Sequence, residues 1–403
     1  MRVHPLPHRR RLVTSRTPSP RFALALAAVG LSTSALALAA CASPAPSATS
    51  STSSGSFDAE TVKKLDRILD DAITEHDMPG VTLAIWSPDG EYVSSAGLAD
   101  VEKKTEMTPA LNHRIGSVTK TFVVTALLRL VDDGEVSLDD PISKYVDGIA
   151  EGDRITLRNL AGMTSGIPDY TNDTDWQSAY LADPLATLTP QSLIEGIKDK
   201  PLHDEPGTVV EYSNSNTILI GLAIEKITGA PLSEVLRVEV TEPLGLDHTF
   251  LPEAAEFPEP HAQGYTKQTI DGSKAVATDW NPSWGWAAGA MISDLDDLKV
   301  WVPALATGEL LSPELQKERL AVTPLSPEDQ DSGYGLGLFR LDGWIGHNGG
   351  LPGYKTVTIY LPEKEMTLVA FVNSDVDGES DLGPNLLTPV TELLTPENVY
   401  QLG

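Results

Sequence analysis

The chain has 403 residues, long enough for one large domain or two smaller ones with a substantial buried core. Apolar residues make up 41% and charged residues 21%, the proportions of a soluble globular protein. The formal net charge of -28 repels phosphate backbones and argues against DNA or RNA as a partner.

That charge is unevenly spread. The first 40 residues hold six arginines (Arg2, Arg9, Arg10, Arg11, Arg16, Arg21) and no acid, so without them the charge would be -28 - 6 = -34. A weakly apolar run from Phe22 to Ala40 follows the basic stretch, the pattern of a secretory signal over 1–40 rather than a fold element. The run ends Leu38-Ala39-Ala40-Cys41, and Cys41 is the only cysteine. This resembles a bacterial lipobox, in which the cysteine is acylated and becomes the first residue. The expectation is an exported protein, held by a lipid anchor at the outer face of the cell membrane. A single thiol excludes an intramolecular disulfide, and no Cys/His cluster has metal-ligand spacing. Ala42 to Ser56 is almost entirely Ser, Thr, Ala, Pro and Gly, so 41–57 reads as a flexible tether and 58–403 as the folded domain.

Within the domain, Val62, Leu65, Ile68, Leu69, Ala72 and Ile73 recur at helical spacing and predict a helix over Asp58 to His76. Two β-rich runs follow, Val81 to Trp86 and Glu91 to Ala96, joined by the hairpin signal Pro88-Asp89-Gly90. Ser117 to Val131 reads as a helix with Val123, Leu127, Leu130 and Val131 on its apolar side. From about 135 to 310 the chain is interrupted by Pro and Gly and carries helical pieces such as Thr217 to Ile227. Strands return at Lys355 to Leu361 and Thr367 to Asn373, and a short helix covers Leu386 to Leu394. The predicted fold is α+β: an antiparallel sheet built from both chain ends, flanked by helices, with a mainly helical region inserted.

Three short motifs carry chemistry. In Ser117-Val118-Thr119-Lys120, residues three apart share a helix face, so the lysine ammonium can reach the serine hydroxyl. Serine alone is a poor nucleophile and needs such a neighbour, and a helix start favours charge on the attacking oxygen. Tyr212-Ser213-Asn214 precedes a helix. A tyrosine beside a lysine can serve as a base if the ammonium stabilises its phenolate, and Asn214 can hold the lysine and a substrate amide together. Tyr170-Thr171-Asn172 has the same spacing, and the motif itself does not decide between the two tyrosines. His347-Asn348-Gly349-Gly350 stands at the head of a terminal strand, where glycines let a substrate carbonyl approach the backbone. The Gly350 and Ser117 N–H groups could then form an oxyanion hole, with His347 shaping the site rather than acting as a base.

In this order the motifs resemble the class C β-lactamase and D-alanyl-D-alanine carboxypeptidase group of penicillin-recognising serine hydrolases. Further matches run over most of residues 58–400, including Ile115-Gly116-Ser117, Ile155-Thr156-Leu157-Arg158-Asn159-Leu160, Thr164-Ser165-Gly166-Ile167-Pro168-Asp169, Pro243-Leu244-Gly245-Leu246 and Ala288-Gly289-Ala290-Met291-Ile292-Ser293. The resemblance implies that Ser117 attacks a carbonyl and forms an acyl-enzyme. Lys120 and Tyr212 would shuttle protons with Tyr212 as base, and Asn214 would position the substrate. It implies no metal and no organic cofactor. Trp284 or Trp286 would wall the pocket. The substrate would be a wall peptide, a β-lactam or an ester, with D-alanyl-D-alanine carboxypeptidase activity ranked before esterase or β-lactamase. A non-catalytic lipoprotein that binds wall peptides or penicillin is the rival from another class. Two departures stand out. Asn348 and Gly350 remove hydroxyls that hold a substrate carboxylate in many relatives, leaving Arg340 as a candidate for that contact, and Met163 stands where relatives often have histidine. There is no G-x-S-x-G elbow and no H-E-x-x-H.

Overall fold

A computed structural model describes residues 55–326, 329–376 and 381–401, so the basic run, Cys41 and most of the tether lie outside the described residues. The domain opens with helix α1 (Ala59–Thr74), capped by Asp58, whose carboxylate accepts from the Glu60 and Thr61 amides. Leu65, Leu69 and Ala72 form its buried stripe.

Strands β1 (Gly80–Ser87) and β2 (Gly90–Asp100) make the expected hairpin, and β3 (Thr105–Glu106) extends it. The C-terminal part supplies β4 (Thr323–Ser326), β5 (Asp329–Tyr334), β6 (Phe339–Leu341), β7 (Trp344–Leu351), β8 (Tyr354–Leu361) and β9 (Met366–Val372). Together they form one nine-stranded sheet of order β3-β2-β1-β9-β8-β7-β6-β5-β4. Every pairing in it is antiparallel. The two chain ends meet where β1 pairs with β9, Val81 against Val372 and Trp86 against Thr367. The predicted architecture is therefore present. Strands β4 to β6 went unread, however, and the His347 motif lies inside β7 rather than at the head of a strand.

Both faces of the sheet are covered. Leu83, Ile85, Val357, Ile359, Leu368 and Ala370 face α1 and the C-terminal helix α6 (Thr388–Leu394). The opposite face, with Ala84, Val369 and Phe371, packs on the helical region, where the larger core sits. This alternation is the two-residue period of a strand buried on both sides. Helix α2 (Thr119–Asp132) runs through that larger core. Burial extends all round it, from Thr119 to Leu128, not along one apolar side as its sequence suggested. Truncating Leu127 here would cost about 2–5 kcal/mol through lost transfer energy and a residual cavity. Helices α3 (Thr174–Ala182), α4 (Asn214–Thr228) and α5 (Leu295–Thr307) complete the frame, and α5 packs on β7, β8 and β9. The helical region begins at α2 and reaches Arg319, wider than the predicted 135–310.

Candidate active site

Ser117 sits in the short turn Gly116–Val118 that leads into α2. Gly116 has φ +53°, and a methyl group there would stand 2.4 Å from the Gly350 amide nitrogen. Both the backbone twist and the close approach require glycine. Lys120 lies one turn further on, fully buried, and its ammonium donates to Ser117 Oγ at 2.9 Å, Asn214 Oδ1 at 2.8 Å and the Ala288 carbonyl at 2.6 Å. All three of its protons are used. Burial depresses the Lys120 pKa to about 7, with the Asp169 carboxylate pulling the other way. Near neutral pH the amine therefore exists both charged and neutral, and the neutral form can take a proton from the hydroxyl it touches.

The two candidate tyrosines separate cleanly. Tyr170 is buried, and its hydroxyl donates to the Trp284 carbonyl. Tyr212 interacts with the Ser117 hydroxyl, and its ring centre lies 4.9 Å from Lys120 Nζ. Tyr212 is 43% exposed overall, but its hydroxyl end is enclosed, and burial raises the phenol well above its ordinary pKa, with Ser117 pulling the other way. The sequence reading expected a phenolate held by a neighbouring ammonium. The structure puts the depressed pKa on the lysine instead.

Asn214 opens α4. Its backbone N–H and its Nδ2 both donate to Asp169 Oδ2 at 3.0 Å, which leaves Oδ1 facing Lys120. The other Asp169 oxygen is fixed by the Thr171 amide and hydroxyl, each at 2.9 Å. Asp169 thus orients Asn214 and tunes Lys120 without touching the cavity. It lies in a stretch quoted above for family resemblance but was given no role; the Asp-Tyr-Thr turn signal beside it was the available clue. Met163, the other departure, has φ +55°. Its sulfur accepts from Asn216 at 3.2 Å and its carbonyl holds the Glu211 amide at 2.9 Å, one residue before Tyr212.

Strand β7 forms the facing wall. A methyl group on Gly349 would meet the Ile115 carbonyl oxygen at 2.0 Å and the Ser117 amide nitrogen at 2.8 Å. The Ser117 and Gly350 amides thus flank one narrow backbone contact that only glycines allow. His347 is 1% exposed, with Nδ1 at 2.5 Å from the Asn348 carbonyl and Nε2 at 3.0 Å from the Tyr334 hydroxyl. The carbonyl can only accept, so Nδ1 carries the proton and Tyr334 donates to Nε2. Burial, aided by Lys120, lowers the His347 pKa to about 3. The ring stays neutral with both nitrogens engaged, as a shaping residue should. Tyr334 was missed, since nothing in Gly333-Tyr334-Gly335 singles it out.

A cavity of about 500 Å³ opens beside Ser117. Tyr212, Tyr334, His347, Asn348, Gly349 and Gly350 line its polar side, and Val210, Phe339, Leu341, Val357 and Leu382 its apolar side. Arg340 is not on this wall although both its neighbours are, because strand alternation turns it to the other face. Trp284 lines a second cavity of about 460 Å³ on the Asn214 side, together with Trp176 and Tyr180. Trp286 packs against Gly221 of α4 instead. Elsewhere, His248, Asp294 and Asp297 gather within 4.8 Å of one another. Asp294 caps α5, and Asp297 accepts from the His248 amide and Thr249 hydroxyl.

A buried lysine hydrogen-bonded to a serine at a helix start, facing a glycine-rich strand of an antiparallel sheet, defines a hydrolase of the serine β-lactamase and penicillin-binding-protein fold. The pattern of the Beta-lactamase family matches residues 65–388, and the chain belongs to that family. A protein of Bacillus subtilis (strain 168) named as a penicillin-binding protein, PbpX, is 26% identical over 330 residues, covering 80% of this chain and 78% of its own. Among solved structures, a D-stereospecific amidohydrolase from Streptomyces sp. is 30% identical with a TM-score of 0.73, covering 83% of this chain and 98% of its own. The D-amino acid amidase from Ochrobactrum anthropi SV3, complexed with D-phenylalanine, is 28% identical with a TM-score of 0.72, covering 84% of this chain and 99% of its own.

Proposed function

We propose that the protein is an exported serine hydrolase that cleaves an amide beside a D-configured residue through an acyl-enzyme, in the manner of a D-alanyl-D-alanine carboxypeptidase. The observation that carries this reading is the contact of Ser117 with a buried Lys120 whose pKa lies near neutrality. Neutral Lys120 takes the Ser117 proton as Oγ bonds to the carbonyl carbon. The Ser117 and Gly350 amides hold the negative charge that develops on the carbonyl oxygen. As the intermediate collapses the carbon–nitrogen bond breaks. Tyr212 hands its proton to the departing amine and recovers one from Lys120. Water then repeats the sequence on the ester, releasing the acid and restoring Ser117. Proton acceptance is thus assigned to Lys120, and Tyr212 is the relay.

A second reading, amidase action on D-amino acid amides, draws on the structural neighbours named above and on the apolar wall of the cavity. Offering an N-acylated D-alanyl-D-alanine, D-phenylalanine amide, benzylpenicillin and a p-nitrophenyl ester separates the possibilities. Release of D-alanine supports the first reading. Turnover of the amide alone moves the assignment to an amidase, and of the ester alone to an esterase. Hydrolysis that persists in Ser117→Ala sinks all of them.

We also propose export and lipidation at Cys41, on the basic, apolar and small-residue sequence before it. Labelling of the full chain with a fatty-acid analogue in a bacterial host, abolished by Cys41→Ala, is the expected result.

A further inference from the structure

Tyr212 lies on one side of the cavity beside Ser117, and much of the remaining wall is hydrocarbon. Phe339, Val357 and Leu382 are buried there and belong to the core under the sheet, so folding accounts for them. Val210, Leu325 and Leu341 reach past that core. They come from three separate segments, the approach to Tyr212, β4 and β6, and converge on one opening. Leu325 is 54% exposed there, and the other two are only partly buried. A single exposed leucine needs no account, but apolar side chains gathered from distant segments round one concave opening mark a binding surface. Polar side chains on the same wall are engaged with one another: Tyr334 donates to His347, and Lys355 meets Asp381 at 3.1 Å. The volume, about 500 Å³, is of the size that holds a drug-sized ligand and far exceeds the methyl side chain of an alanine.

We infer that the leaving group of the substrate carries a bulky apolar part, which lies against Val210, Leu325 and Leu341. This rests on the acyl-enzyme reading and deepens it by naming the class of amide: a D-residue joined to an apolar amine, or to an amino acid with a large apolar side chain. The leaving group is assigned to this cavity because Tyr212, the proton relay, lines it, whereas Asn214 lines the other. Contacts so far from the reacting bond raise kcat/KM through binding held into the transition state, with the chemistry at Ser117 unaltered. Val210, Leu325 and Leu341 are specificity residues.

The test uses N-acetyl-D-alanyl thioesters of methanethiol, butanethiol and hexanethiol, whose thiols have nearly equal acidity and differ in apolar length. Each fully buried methylene is worth about fourfold, so the wild-type protein should prefer hexyl over methyl by about thirtyfold or more in kcat/KM, with butyl between. Leu325→Asn replaces apolar surface at an exposed position and should lower the hexyl-to-methyl ratio by about threefold or more. Val210→Thr, similar in shape but carrying a hydroxyl, should lower it too, and Leu325→Met should retain it. A purely structural role would make Leu325→Asn and Val210→Thr slow every thioester alike and leave the ratio unchanged, and that result overturns the inference. So does a wild-type ratio near one while turnover depends on Ser117. Turnover independent of Ser117, or none, overturns the acyl-enzyme reading along with it.

Discussion

On the helix side of the cleft, a lysine with three hydrogen-bond acceptors, an asparagine oriented by a carboxylate and a tyrosine surround one hydroxyl. On the strand side, the wall facing Ser117 carries two glycines in close backbone contact and a histidine that is neutral and doubly engaged. In the proposed mechanism the first wall moves protons, and the second supplies backbone and space. Their difference explains why the sequence exposes them so unequally. Ser117 and Lys120 are three apart on one helix, a separation that periodicity alone converts into a contact. What Gly349 does depends on Ile115, far away in the chain, and no local pattern states it.

The largest effects should fall on the proton-moving wall. Ser117→Ala and Lys120→Met should each lower kcat/KM for an activated ester by about 10³-fold or more, and the double variant should be no worse than the worse single one. Additive losses, measured by the same assay, would mean that the two residues do not act as a unit. Tyr212→Phe should cost about 10²–10⁴-fold on an amide substrate and much less on an activated ester, whose leaving group needs no proton. Tyr170→Phe, its rival in sequence, should change either rate by about twofold at most, as its hydroxyl serves only the Trp284 carbonyl.

The strand wall is broken differently. Gly349→Ala forces a methyl group onto the Ile115 carbonyl and should cost about 1–3 kcal/mol in denaturant unfolding. It should also lower kcat by about 10²-fold by displacing the Ser117 and Gly350 amides. Full stability with full activity would show that the close approach is dispensable.

Smaller effects sharpen the electrostatics. Activity needs neutral Lys120, so kcat/KM should rise with pH through about 7 and level off above it. Asp169 raises the Lys120 pKa, so Asp169→Asn should move that rise to lower pH while reducing kcat by about tenfold through a misoriented Asn214. A shift to higher pH would refute the assignment. Arg340→Ala should stay within about twofold on every substrate, since its side chain is off the cavity wall.

The same contrast governs what could be read in advance. The outer framework was legible because α1 and the hairpin of β1 and β2 show strong periodicity, and β8 and β9 are rich in β-branched residues. Strands β4 to β6 were not: Asp329-Gln330-Asp331-Ser332-Gly333-Tyr334 is acidic and polar, and it forms a strand because β4 and β6 pair with it. The contact of Ser117 with Lys120 follows from their spacing, whereas spacing alone left Tyr212 and Tyr170 undecided. The groups that hold Lys120 and Asn214 in place, Asp169 and the Ala288 carbonyl, act across long sequence separations. The inverted pKa order of Lys120 and Tyr212 came from burial, a property of the assembled core rather than of either motif.

The most direct test of the central claim is intact-mass and peptide spectrometry after rapid acid quench of the protein mixed with an activated ester or benzylpenicillin. The account predicts one acyl group, located on Ser117, in the wild type and none in Ser117→Ala. An acyl group on another residue, or one that persists in Ser117→Ala, would contradict it.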